Sequence, residues 1–300
     1  MNKACIFFKI SDIVMHYPRN FQKFPDVVKV KNLAYDENFG KYTKADAYYT
    51  ENLPEYPVII NVHGGGFVRG DKKHRRSVSC EFAKRGFFVL NVNYRLAPKY
   101  PFPSAIDDVI KAMNYLLTIK DRFRLNLDKI ILTGDSAGGF YSAAAIIACV
   151  NENYRKELNL TAPLLKPTHF MGFCGAYNLC EILTRKTPLN MAFDIADALM
   201  KIKTHKDINV LKANPMLPFT DLTSFVTPDF PESYLMYSVV DDFCGGQGEL
   251  FSSALKSNNV PVTEFIAMDK KDFHCFHLLP KHKDSKMCLD SAKAFLDKIK

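Results

Sequence analysis

Tryptophan is absent from this chain of 300 residues, and no apolar run is long enough to cross a bilayer. The N-terminal apolar stretch Ala4-Cys5-Ile6-Phe7-Phe8 is too short for the core of an export signal, and Lys9 interrupts it. Eight cysteines, at 5, 80, 149, 174, 180, 244, 275 and 288, include no CxxC pair and no regular framework. That scatter argues against a zinc site and a disulfide scaffold. Several cysteines sit in apolar runs, as buried reduced thiols do, which places the expected location in the cytoplasm. There is no internal repeat, no low-complexity tract, no G-x-G-x-x-G fingerprint and no phosphate loop ending in Lys-Ser/Thr. The charge excess is +8, from 40 basic and 32 acidic side chains. Its one dense cluster, Lys72-Lys73-His74-Arg75-Arg76, reads as a solvated helix face, so nucleic acid is not an expected partner.

Against those absences stands Gly134-Asp135-Ser136-Ala137-Gly138, a G-x-S-x-G stretch. The apolar run Lys129–Thr133 feeds it, and a small-residue helix from Gly139 leaves it. A serine on so sharp a strand-to-helix turn adopts a strained backbone and needs neighbours without bulk. Its hydroxyl then stands above a sheet, with a helix N-terminus behind it. Upstream, His63-Gly64-Gly65-Gly66-Phe67 follows the strand-like Val58–Val62. Amides of such a loop, with the amide after the nucleophile, make an oxyanion hole, here Gly65, Gly66 and Ala137. His63 is expected to orient its own loop.

A serine needs a base, and the base in turn needs a carboxylate to orient it. His274 is the best placed base, after the strand-like Val262–Met268 and a polar loop; His277 is second. The acid is expected after the strand-like Tyr234–Val240, where Asp241 and Asp242 stand side by side and position alone does not separate them.

From Pro57 onward strand and helix signals alternate, which implies an α/β fold with a mostly parallel central sheet flanked by helices. Residues 27–34 and 44–50 are expected as an antiparallel edge pair, and Ala105 to Ile119 as a helix with one core face. The chain reads as one domain over 1–300. Residues 177–212 form an extra helical stretch, with Met191, Ile195, Leu199 and Ile202 on one stripe.

From about Pro57 to the C-terminus the sequence resembles the hormone-sensitive-lipase-like esterases of the α/β-hydrolase fold. The matching pieces are the HGGG and GDSAG motifs, Tyr94-Arg95-Leu96-Ala97-Pro98, Pro101-Phe102-Pro103-Ser104-Ala105 and Asp107-Asp108. The resemblance implies that residues about 177–212 form a small helical cap over the site, and residues 1–24 are expected to pack against it as further cap elements. Aligning Gly248-Glu249 with the end of the family's D-x-L-x-D-x-G-like run puts the catalytic acid on Asp242. Two departures stand out: that run lacks its leucine and second aspartate, and Cys275 replaces the glycine of His-Gly-Phe. The implied activity is a serine carboxylesterase for short acyl esters, using Ser136, His274 and Asp242 and requiring no metal or cofactor. Its partner is a small-molecule acyl ester, and a homodimer is compatible with the reading. An amidase such as an arylformamidase is the alternative, and a non-catalytic receptor on the same fold a more distant one.

Overall fold

The computed structural model describes residues 2–185 and 191–299. The chain opens with helix α1 (Lys3–Asn20), followed by strands β1 (Val28–Ala34) and β2 (Lys44–Tyr49). Alternation then begins: β3 (Tyr56–Val62), α2 (Arg76–Lys84), β4 (Phe88–Val92), α3 (Ser104–Phe123), β5 (Leu125–Asp135), α4 (Ala137–Val150), the short α5 (Glu152–Glu157) and β6 (His169–Phe173). Three short helices follow: α6 (Leu179–Ile182), α7 (Ala192–Met200) and α8 (Ile208–Lys212). The chain finishes with β7 (Glu232–Ser238), α9 (Gln247–Ser257), β8 (Val262–Ala267) and α10 (Lys283–Leu296).

The strands form one eight-stranded sheet in the order β1-β2-β4-β3-β5-β6-β7-β8. Strands β1 and β2 are antiparallel, β2 joins β4 antiparallel, and every pairing from β4 through β8 is parallel. Helices cover both faces, which is why β3 and β4 are buried at every residue and carry near-continuous apolar sequence. Two apolar clusters result, one on each side of the sheet. This is the α/β-hydrolase architecture the sequence implies.

The small residues of α4 let it lie directly behind the sheet, and every residue from Ala137 to Cys149 is buried. At Gly138 a Cβ would overlap the Val62 carbonyl, so the tip of β3 and the start of α4 meet backbone to backbone. Helix α3 carries the expected apolar stripe and closes at Arg124, which takes a left-handed conformation.

Three expectations change. The stretch 177–212 is not continuous helix but the separate pieces α6, α7 and α8; its residues 186–190, like Met1, lie outside the described residues. Strand β7 stops at Ser238, with Val239 and Val240 already in a turn. The basic cluster is not a solvated face: Lys72, His74 and Arg75 are buried in a short 3₁₀ turn. Lys72 pairs with Asp46 at 2.6 Å, and Arg75 grips Asp135. The N-terminal segment meets α7: the Asn2 side-chain amide donates to the Asp194 carbonyl, and the Lys3 amide donates to the Asp194 carboxylate at 3.1 Å.

Candidate active site

Ser136 sits where β5 ends and α4 begins, with φ 53° and ψ −121°. A non-glycine residue in that region is strained, and the surroundings hold it there. The Ser136 amide donates to the Phe173 carbonyl at 3.0 Å, tying the turn to β6. Ala137 is the first residue of α4, so its N–H has no intrahelical partner.

The glycine loop lies beside this turn. Gly65 and Gly66 have φ of 144° and 58°, conformations that side chains disfavour. A Cβ at Gly65 would overlap the Arg69 carbonyl, and one at Gly66 the Phe8 ring. His63 is buried, stacks on Tyr94 at 4.3 Å, and its Nδ1–H donates to the Gly64 carbonyl at 2.9 Å. Burial lowers its pKa to about 4, so it is a neutral strut for the loop.

Beneath the elbow, Asp135 accepts two hydrogen bonds from Arg75, from Nε and Nη2, each 2.6 Å long. Both residues are buried. Burial works to raise the Asp135 pKa, but the guanidinium outweighs it and drives the carboxyl well below the usual range.

His274 and Asp241 meet at the carboxyl edge of β7 and β8, with Nδ1 and Oδ2 2.7 Å apart. The Asp241 side chain is 2 % exposed and that of His274 16 %. Oδ1 of Asp241 accepts the amides of Phe243 and Cys244, both at 2.8 Å, which fixes the carboxylate and leaves Oδ2 for the imidazole. Burial opposes charge on Asp241, yet His274 and the two amides lower its pKa. Burial likewise works against the imidazolium of His274, but the Asp241 carboxylate wins and raises its proton affinity well above the ordinary value.

The expectation of Asp242 as the partner of His274 is therefore corrected to Asp241. Because β7 ends at Ser238, the turn brings Asp241 inward and leaves the next residue, Asp242, exposed on the rim. Counting back from Gly248-Glu249 placed the acid one residue too late, because the stretch from Asp241 to Gly248 is one residue longer than the family run. Counted forward from Asp241, Phe243 falls on the apolar position that the family run fills with leucine, a signal present in the sequence.

One cavity of about 240 Å³ gathers Ser136, His274, Gly65 and Asp242. Asp241 lies behind the imidazole; Gly66 and Ala137 are not among the residues lining the space. His277 is elsewhere, buried and stacked on Phe173 at 4.6 Å. Helix α1 supplies a wall that includes Phe7, Phe8, Asp12 and Arg19, and Phe243 closes the opposite side against Phe7 at 6.0 Å.

Sequence reasoning did not single out Arg19, Arg75 or Cys174 as residues of this region. The ligand atoms of Cys174, His274 and Cys275 lie within 4.8 Å of one another. A soft metal ion there would take His274 as a ligand. Cys174 stands far from Cys275 in the chain, so cysteine spacing gives no sign of this grouping.

This arrangement has the parts for nucleophilic acyl transfer: a strained hydroxyl, an imidazole oriented by a carboxylate, and glycine amides beside them. The BD-FAE family model matches residues 46–223, a span from β2 to the loop before β7. Over 95 residues the chain is 39 % identical to the esterase LipI of Mycobacterium tuberculosis, covering 31 % of this chain and 29 % of that protein. Over 125 residues it is 31 % identical to the tuliposide A-converting enzyme 2 of Tulipa gesneriana, covering 37 % and 33 %. The chain thus spans about a third of the length of these curated relatives. Among solved structures, an inhibited esterase B from Lactobacillus rhamnosis superposes with a TM-score of 0.84 at 19 % identity, covering 99 % of this chain and 96 % of that one. A bacterial heroin esterase gives 0.76 at 19 % identity, with 97 % and 90 % covered.

Proposed function

Because this chain belongs to the BD-FAE family, we propose that it is a serine carboxylesterase acting through an acyl-enzyme. Ser136 attacks the ester carbonyl as His274 takes its proton. Asp241 holds the imidazole in the tautomer that presents a free nitrogen to the serine and steadies the imidazolium as it forms. The amides of Gly65, Gly66 and Ala137 receive the developing oxyanion. His274 then protonates the leaving alcohol, and water clears the acyl group by the same route.

The observation that carries this reading is the 2.7 Å contact between His274 and Asp241 on the cavity that also holds a strained Ser136. The volume of about 240 Å³ lies below the roughly 300 Å³ at which ligand clefts usually begin, which favours short acyl groups. Helix α1, held to α7 through Asp194, acts as the cap. Eight free thiols, seven of them buried, suit a reducing compartment such as the cytoplasm. Among the described residues no helix is long and apolar enough to cross a membrane.

Replacing Ser136 with alanine tests the reading: hydrolysis of p-nitrophenyl acetate is expected to vanish, and full activity in the variant would overturn it. A formylated arylamine run beside the ester separates the esterase from the amidase alternative.

A further inference from the structure

Two guanidinium groups converge on the cavity of Ser136, and neither is fully used. Arg75 is 4 % exposed, and its Nε and Nη2 hold Asp135, but its Nη1 is buried with no partner among the described residues. The Nε of Arg19, on the α1 wall, is likewise buried and unpartnered. Of the nearby carboxylates, Asp135 is held by Arg75, and Asp12 lies 3.9 Å from a neutral His74 and makes no hydrogen bond or ion pair with Arg19 among the described residues. Arg19 enters none of the ion pairs among the described residues.

We propose that Arg19 and Arg75 form an anion subsite in this cavity and that the preferred substrates are esters carrying a carboxylate on the limb that enters it. This rests on the esterase reading above. A buried donor without a partner is costly, and a charged one more so. A substrate carboxylate supplies acceptor oxygens to the guanidinium groups, and for Arg19 the direct ion pair that neither Asp12 nor Asp135 makes with it. Burial and the neighbouring charge of Arg75 lower the Arg19 pKa to about 10, outweighing the opposing pull of Asp135 and Asp12. Asp12 lines the same cavity, and its carboxyl is pushed up by burial. Its charge, and that of Asp242 at the rim, limit the subsite to one carboxylate. The rings of Phe7, Phe8 and Phe243 line the same cavity and give an aliphatic linker an apolar path.

The test compares three methyl esters in a pH-stat with the full chain: monomethyl adipate, dimethyl adipate and methyl hexanoate. The first carries a carboxylate, the second the same chain with a neutral acceptor, and the third neither. The expected result is a kcat/KM for monomethyl adipate about tenfold or more above both neutral esters, gained in KM. Arg19→Met lowers that ratio by about tenfold to a hundredfold, the range for losing a charged hydrogen bond, and Arg19→Lys restores part of it. Equal turnover of all three esters, or a ratio unmoved in Arg19→Met, overturns the subsite and leaves the esterase reading intact. If no ester is turned over, the esterase reading fails. Calorimetric titration of adipate then decides the subsite separately: binding to the parent and not to Arg19→Met supports it, and equal or absent binding overturns it.

Discussion

Substituting Asp241 and Asp242 one at a time by asparagine distinguishes two neighbours that share a residue type and differ only in where the turn points them. In Asp241→Asn the introduced amide oxygen can keep the Phe243 and Cys244 amides, both now 2.8 Å from Oδ1. The amide NH₂ then faces His274 Nδ1, which the carboxylate oxygen meets at 2.7 Å. An NH₂ there donates, so Nδ1 must accept and the ring proton moves to Nε2, leaving no acceptor for the serine proton. The charge-assisted bond, worth about 1.5–3 kcal/mol, is lost as well. A serine triad left with the wrong tautomer loses about 10⁴-fold in kcat, and that is the expected loss here. Asp242 is exposed, so Asp242→Asn is expected to change stability by no more than about 0.5 kcal/mol and turnover by roughly twofold. The assay is kcat/KM for p-nitrophenyl acetate, with thermal midpoints to confirm folding. The pH profile adds a second readout. Activity in the parent rises as His274 loses a proton whose affinity Asp241 has raised, and Asp241→Asn moves that limb to lower pH. Collapse of Asp242→Asn beside a nearly intact Asp241→Asn would refute the reasoning.

The pair of Arg75 and Asp135 gives a stability test. Arg75→Met strands a buried carboxylate and is expected to cost about 3–5 kcal/mol, whereas adding Asp135→Asn recovers much of it; a midpoint unchanged in the single variant would contradict this. Acid stability is a second. Burial lowers the pKa of His63 to about 4 and those of His74 and His277 to about 3. Their contribution is complete above the unfolded value of about 6.5 and is lost as pH falls toward the folded values, because the unfolded chain takes up the protons. The three together predict a slope approaching 4 kcal/mol per pH unit below about pH 6, and a midpoint flat from pH 7 to 5 would sink the prediction. Two glycines separate fold from site: Gly138→Ala meets the Val62 carbonyl and is expected not to fold, whereas Gly66→Ala meets the movable Phe8 ring and is expected to fold with a raised KM.

The sequence carried the elbow, the glycine loop and His274 because each lies in a short local pattern at the end of a strand. Strand-to-helix alternation carried the sheet, and the edge pair β1 and β2 came from period-two patterning. The choice between Asp241 and Asp242 turned on β7 ending at Ser238, two residues before the apolar pattern does, and the local sign at Phe243 was outweighed by the Gly248-Glu249 alignment. Charge density misled at Lys72–Arg76, since Asp46 and Asp135, the partners that let Lys72 and Arg75 be buried, are distant in the chain. No local pattern marks Arg19, and only the docking of α1 brings it to the cavity. The 177–212 segment showed helical periodicity without the breaks that divide it into α6, α7 and α8.

The central claim is that Ser136 forms a covalent bond during turnover. Incubation with an organophosphate ester such as diethyl p-nitrophenyl phosphate, followed by peptide mass spectrometry, tests it most directly. The account predicts one adduct, on Ser136, formed in step with loss of activity and strongly slowed in His274→Ala. An adduct on another residue with full inactivation, or inactivation of ester hydrolysis that proceeds equally in Ser136→Ala, would contradict it.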